Sequence, residues 1–141
     1  DVAISIENIK LALTEAKLGL IPATISPYVI SKVGSSNGID LFTSARTFYP
    51  SEAKNIGLIK SFCNEESIDN IINEEADSIL INGPSAVTAS KNLVRNLSSK
   101  IDENTVKFTV EALADVWENP ESIEGINAFF EKRKPNWIME K

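Results

Sequence analysis

Val2, Ile4 and Ile6 alternate with Ala3 and Ser5, and Ile9, Leu11 and Leu13 alternate with Lys10 and Ala12. A period of two over both runs predicts two strands, with Glu7-Asn8 as the turn between them. From Ser26 the period changes. Ser26 as N-cap and Pro27 at the first helical position predict a helix carrying Tyr28, Val29, Ile30 and Val33, stopped at Gly34. A short helix from Ser35 or Ser36 carries Ile39, Leu41 and Phe42. Pro50 opens a third, with Glu52 near the positive end of its dipole and Gly57 as its stop. Leu58 to Phe62 reads as a short strand. Ser67 caps a helix bearing Ile68, Ile71, Ile72, Ala76, Ile79 and Leu80, a spacing of three and four that marks one buried face. Asn82-Gly83-Pro84 stops it and starts another, expected to bury Val87, Leu93, Val94 and Leu97. Asp102 caps a helix striped by Val106, Val110, Leu113 and Trp117. Asn119-Pro120 opens the last, whose apolar face is Ile123, Ile126, Phe129 and Phe130, followed by the basic run Lys132-Arg133-Lys134.

The order is strands first, then helix after helix, without repeats or low-complexity segments. The helices after Asn82 carry more apolar face than a few short strands can cover, so they are expected to pack on something else, and self-association is the first expectation. The length of 141 residues suits one modest core. A net charge of −6 disfavours a nucleic-acid or anionic-membrane partner. No apolar run approaches the ~20 residues that span a bilayer. The sequence given starts at Asp1, inside an alternating apolar run, and no signal peptide is expected from it.

Candidate chemistry is narrow. The chain has no histidine, which removes Ser-His-Asp triads, His-containing zinc sites and His proton shuttles. No metal site is expected. The single cysteine, Cys63, excludes an internal disulfide, fits a reducing compartment and reads as a small buried apolar residue. Lys91 and Arg95, four apart, read as a solvated face. That leaves the stretch Leu13 to Pro22. Glu15 ends an alternating apolar run and is followed by an apolar loop containing Gly19 and closed by Pro22. A carboxyl at the edge of an apolar cleft is a candidate general acid/base, because poor solvation favours its protonated form.

Thr14 to Tyr28 resembles the second half of the active site in the enoyl-CoA hydratase, or crotonase, family, and is most similar to methylglutaconyl-CoA-type hydratases. The resemblance runs from Asp1 to Trp137 over separated stretches: Asp1 to Ile4, Thr14 to Tyr28, Pro50-Ser51-Glu52-Ala53 to Gly57-Leu58, Ala89-Ser90-Lys91, and Glu124 to Arg133. Their order and spacing carry it. The loop Ala23-Thr24-Ile25-Ser26-Pro27 stands where many crotonases have Gly-rich residues, and is like the methylglutaconyl and isohexenylglutaconyl-CoA branch.

The resemblance implies an α/β crotonase-like spiral of ββα turns. This chain corresponds to its carboxyl-terminal half, mostly helical with a few short strands at the start. Residues 1–82 would be the last part of the spiral core, and 83–141 a helical region for trimerisation and CoA contact. It implies a lyase that adds water to an α,β-unsaturated acyl-CoA in fatty acid or branched-chain amino acid degradation. Isomerase and hydrolase members share the scaffold, and a non-catalytic oligomerisation fragment is the alternative. Glu15 matches the second of the two catalytic glutamates. Ile21, Pro22, Ala23 and Thr24 would line the acyl pocket; core packing and solvation are the plain alternatives for Phe129 and Lys132, which match positions at the CoA adenine end. The first glutamate and the oxyanion-hole N–H donors match no stretch here and would lie upstream of Asp1. The implied partners are an acyl-CoA thioester, an amino-terminal half, and copies of the chain in a trimer or dimer of trimers. No cofactor is expected beyond the coenzyme A carried by the substrate, and the expected location is cytoplasmic.

Overall fold

In the computed structural model, which describes residues 1–98 and 100–138, β1 (Ile4–Ile6) runs parallel to the later strand Ser61–Cys63, with Ile4 opposite Ser61 and Ile6 opposite Cys63. Between them come β2 (Leu11–Ala12), a 3-10 turn (Glu15–Leu18), α1 (Ser26–Ser44), β3 (Thr47–Phe48) and α2 (Pro50–Asn55). Ser61–Cys63 is therefore β4. After a second 3-10 turn (Glu65–Ser67) the chain is helical: α3 (Ile68–Leu80), α4 (Pro84–Leu97), α5 (Glu103–Trp117) and α6 (Pro120–Phe130). β2 pairs with β3 in a separate two-stranded ladder.

The chain forms two compact units that interleave in sequence. One holds residues 1–11 and 48–100; the other holds 12–47 and 101–141. The parallel β1–β4 pairing causes the interleaving in the first unit, since parallel strands need a long crossover between them. In that unit α2 packs on β4 and α3 on β1, around buried Phe48, Pro50 and Ala53. In the second unit the Glu15–Leu18 turn packs on both α1 and α6, and α5 on α6, around Ala23, Val33, Leu41, Ala45 and Ala128.

Several local expectations shift. The second strand is only Leu11–Ala12, and Leu13 lies outside it. The strand expected at Leu58–Phe62 begins at Ser61. Gly57 turns left-handed at φ 80°. The amides of Leu58 and Ile59 are then spent on Ala53 O, at 2.9 and 3.3 Å, closing the end of α2. Ser26 is the first residue of α1 and not its cap; Ile25 holds the N-cap position, and Ser26 Oγ donates backward to Ala23 O at 2.9 Å. Gly34 does interrupt the helix, at φ 75° and ψ 165°, so α1 is two helical segments meeting at a kink. Ser67 does not cap α3. Asn64 takes that task one turn earlier, its Oδ1 accepting from Ser67 N at 2.9 Å. Asp102 caps α5 as expected, its Oδ1 accepting from the Thr105 amide and hydroxyl, both at 2.9 Å. Those bonds hold its carboxyl below the usual carboxylate range, the Thr105 amide most of all.

The burial expected of α4 is absent. Only Val87 is half-buried, while Leu93, Val94 and Leu97 are 60%, 64% and 80% exposed. In α6 the buried face is Ser122, Gly125 and Ala128, not Ile123, Phe129 and Phe130. The two phenylalanines stand outside, edge to face at 5.6 Å.

Candidate active site

The second unit carries the site. Glu15 opens a 3-10 turn held by two short-range bonds, Lys17 N to Thr14 O at 3.0 Å and Gly19 N to Ala16 O at 3.2 Å. Leu20 N then donates to Glu15 O at 3.0 Å, and Gly19 is left-handed at φ 68°. The loop runs on through Ile21 and Pro22 into α1. This turn and the start of α1 enclose a cavity of about 380 Å³. Its walls include Ala16, Leu20, Ile21, Pro22, Ala23 and Ile30, with Phe42 further along α1. Ser26 and Thr43 are the hydroxyl residues of the wall, and each hydroxyl donates to a backbone carbonyl, Ala23 O at 2.9 Å and Ile39 O at 2.8 Å. The surface offered to a ligand is accordingly apolar.

Glu15 itself does not line this cavity; its neighbour Ala16 does. The side chain is half-buried, and its Oε2 is buried without a hydrogen-bond partner. A buried, unpaired carboxylate oxygen costs free energy that a structural role would not require. Ser61 Oγ in β4 is the other such atom among the described residues. Ile21, Pro22 and Ala23 stand together on the wall. Thr24 is exposed and off the wall, where the chain turns outward toward α1.

Phe129 and Lys132 lie elsewhere in the unit, at the end of α6. Phe129 is 65% exposed. Lys132 is exposed and left-handed at φ 54°. It closes the helix with a paired C-terminal turn: Lys132 N donates to Phe129 O at 3.3 Å and Arg133 N to Ala128 O at 3.0 Å. The basic run is not three open cations. Arg133 forks onto Glu124 with bonds of 2.6 and 2.8 Å and reaches Glu131 at 2.6 Å. Glu124 also accepts from Asn136 N at 2.9 Å. The Arg133 side chain, and then the Asn136 amide, hold the Glu124 carboxyl down at about 2. The signal of this clamp in the sequence is an acid and a base nine residues apart across a helix end. Lys91, read as solvated, pairs with the Asp1 carboxylate. Cys63 is half-buried in β4 rather than enclosed.

Among the described residues no cluster of three or more Cys, Asp or Glu is placed to hold a metal ion, and no helix is long and apolar enough to cross a membrane.

Comparison with known proteins gives one family. The chain is 29% identical over 138 residues to an enoyl-CoA hydratase of Mycobacterium tuberculosis, covering 97% of this chain and 52% of that protein. It is 29% identical over 136 residues to the short-chain-enoyl-CoA hydratase of Clostridium acetobutylicum, covering 95% and 52%. Its fold matches the crystal structure of an enoyl-CoA hydratase from Mycobacterium avium with a TM-score of 0.83 at 27% identity, covering 98% of this chain and 54% of that one. The chain thus spans about half the length of the curated relatives it matches. The fold is a partial crotonase fold, mostly helical with short strands. Residues 1–140 match the sequence profile of the enoyl-CoA hydratase/isomerase family, and the chain belongs to that family.

Proposed function

We propose that this chain supplies the carboxyl-terminal half of a site that adds water across the double bond of an α,β-unsaturated acyl-CoA. The observation that carries this is Glu15 Oε2, buried and unpartnered one residue from an apolar cavity. Such an oxygen is free to take a proton from water or to return one to the substrate. The cavity walls Ile21, Pro22 and Ala23 suit the acyl chain, with Thr24 outside at the rim. The form of the 23–27 loop favours a methylglutaconyl-type acyl group. Phe129 and Lys132, exposed at the end of α6, suit the adenine end of coenzyme A, reached from a neighbouring copy in a trimer. The location consistent with one unpaired cysteine is the cytoplasm.

Hydration also needs charge to build on the thioester oxygen, and only preorganised N–H donors stabilise it there. Those donors and the first glutamate belong to an amino-terminal half. Losing a single such donor costs about 10²–10³ in rate, which Glu15 alone does not restore. The 141-residue chain should therefore hydrate crotonyl-CoA and a methylglutaconyl-type thioester at background rate, read as loss of enoyl-thioester absorbance. Joined to an amino-terminal half it should be active, and Glu15→Gln should lower that activity about 10²–10⁴-fold. Turnover by the 141-residue chain, or full activity of the paired Glu15→Gln protein, overturns the proposal. A second reading, a non-catalytic oligomerisation module, is favoured by the exposed large apolar side chains of α4 to α6; inactivity of the paired wild type would select it.

A further inference from the structure

We infer that α6 is the element that positions Glu15, and that Gly125 is the positioning residue through which it acts. The inference rests on the reading of Glu15 as the proton carrier.

The Glu15–Leu18 turn has little of its own to fix where it points. It is a single 3-10 turn, and such turns have poor hydrogen-bond geometry. Thr14, at its N-cap, makes no side-chain bond to it. Beside its packing on α1, what holds it is backbone against backbone on α6, at two reciprocal places. A Cβ on Gly125 would lie 2.4 Å from both Leu18 C and Leu18 O, and 2.8 Å from Leu18 Cα. A Cβ on Gly19 would lie 2.7 Å from Glu121 C and O, and 2.9 Å from Ser122 N. Each glycine of the pair thus lets the other chain segment touch its bare backbone. Gly19 has a second reason to be glycine, its left-handed φ of 68°. Gly125 has none; its φ/ψ are helical, where glycine weakens the helix relative to alanine. Close approach to Leu18 is the physical reason for a glycine there.

The α6 side of this contact is itself anchored. Ser122 is fully buried, and its hydroxyl lies 2.8 Å from Trp117 O and 2.7 Å from Asn119 O. The first turn of α6 cannot yield easily. A methyl group at position 125 would therefore push the Leu18 backbone away by about an ångström to reach ordinary contact distance. Glu15 lies on the same turn and moves with it. A misplacement of about 1 Å at a reacting group costs on the order of 10² in rate.

The first test uses the 141-residue chain, labelled with ¹³C at the glutamate carboxyls, with the Glu15 resonance assigned by its loss in Glu15→Gln. In Gly125→Ala that resonance should move, while Asn127→Ala, on the exposed side of α6, should leave it in place. A folded Gly125→Ala chain with an unmoved Glu15 resonance overturns the inference. If Gly125→Ala does not fold, Ser122→Ala adds no bulk and loosens the same anchor; an unmoved resonance there overturns it equally. The second test uses the protein paired with its amino-terminal half. Gly125→Ala should lower kcat about 10- to 100-fold with KM nearly unchanged. In a Glu15→Gln background the same substitution should cost nothing further, because the two act through one group. A loss that multiplies in the double variant means a structural effect and overturns the inference. If the paired wild type hydrates nothing, the functional reading fails, while the carboxyl resonance still decides the positioning role.

Discussion

At the scale of single residues, two carboxylates show opposite solutions to the same problem. Glu124 is paid for in full by Arg133 and the Asn136 amide, and its acidity follows. Glu15 Oε2 is buried with no partner. For Glu15 the expectation is that Glu15→Gln leaves thermal stability unchanged or raises it by about 1 kcal/mol, since an uncharged amide is cheaper to leave unpaired than a carboxylate. A clear fall in Tm in thermal melts would mean the carboxylate has a stabilising partner. For Glu124 the sign is set by a folded value of about 2 against an ordinary 4.5. The clamp is complete above about pH 4.5 and is lost as pH falls toward 2. The Asn136 amide resonance should therefore shift across that window in the wild type. In Glu124→Gln it should already be shifted at pH 7 and hold still on acidification; identical Asn136 resonances at pH 7 would remove the clamp as what ties residues 133–136 to α6.

At the scale of elements, backbone conformation decides where helices break. Gly34 sits at φ 75° and ψ 165°, a region almost closed to residues with a Cβ. A Cβ added there meets nothing within 4 Å, so the cost of Gly34→Ala is pure backbone strain. The expected loss is about 1–3 kcal/mol, measured as a lower denaturant midpoint with an unchanged slope. Unchanged stability would show that α1 can close the kink and run straight. The same logic, inverted, explains α6. Its apolar stripe pointed to Phe129 and Ile123 as the buried face, but packing distance rewarded the smallest side chains instead.

At the scale of the molecule, each unit encloses a core of few and mostly small residues while large apolar side chains stay outside. In the first unit Leu80 and Leu97 are 76% and 80% exposed; in the second, Phe108 is 70% exposed. Exposed apolar side chains in such number point to surfaces that pack on a partner. Light scattering should find the protein self-associated at micromolar concentration, and Leu97→Asp or Phe108→Asp should move it toward monomer while helical circular dichroism is kept. A wild type that scatters as a monomer at high concentration counts against assembly through these faces.

What the sequence by itself determined was local or ancestral. Pro50, Pro84 and Pro120 at helix starts, Gly34 as a break and Asp102 as a cap all follow from short-range sterics and hydrogen bonding, and all are present. The family resemblance, carried by ordered stretches from Asp1 to Trp137, was legible in the same way. What only the tertiary structure decided depends on distant segments meeting. The pairing of Ile4–Ile6 with Ser61–Cys63, and the two interleaved units it creates, have no local signal. Nor do the Arg133–Glu124 fork and the choice of Ser122, Gly125 and Ala128 as the buried face of α6. Periodicity reports which side chains share a face, but neither which face is covered nor how closely two backbones can approach. That distance, set by Gly19 and Gly125, is what brings Glu15 to its place.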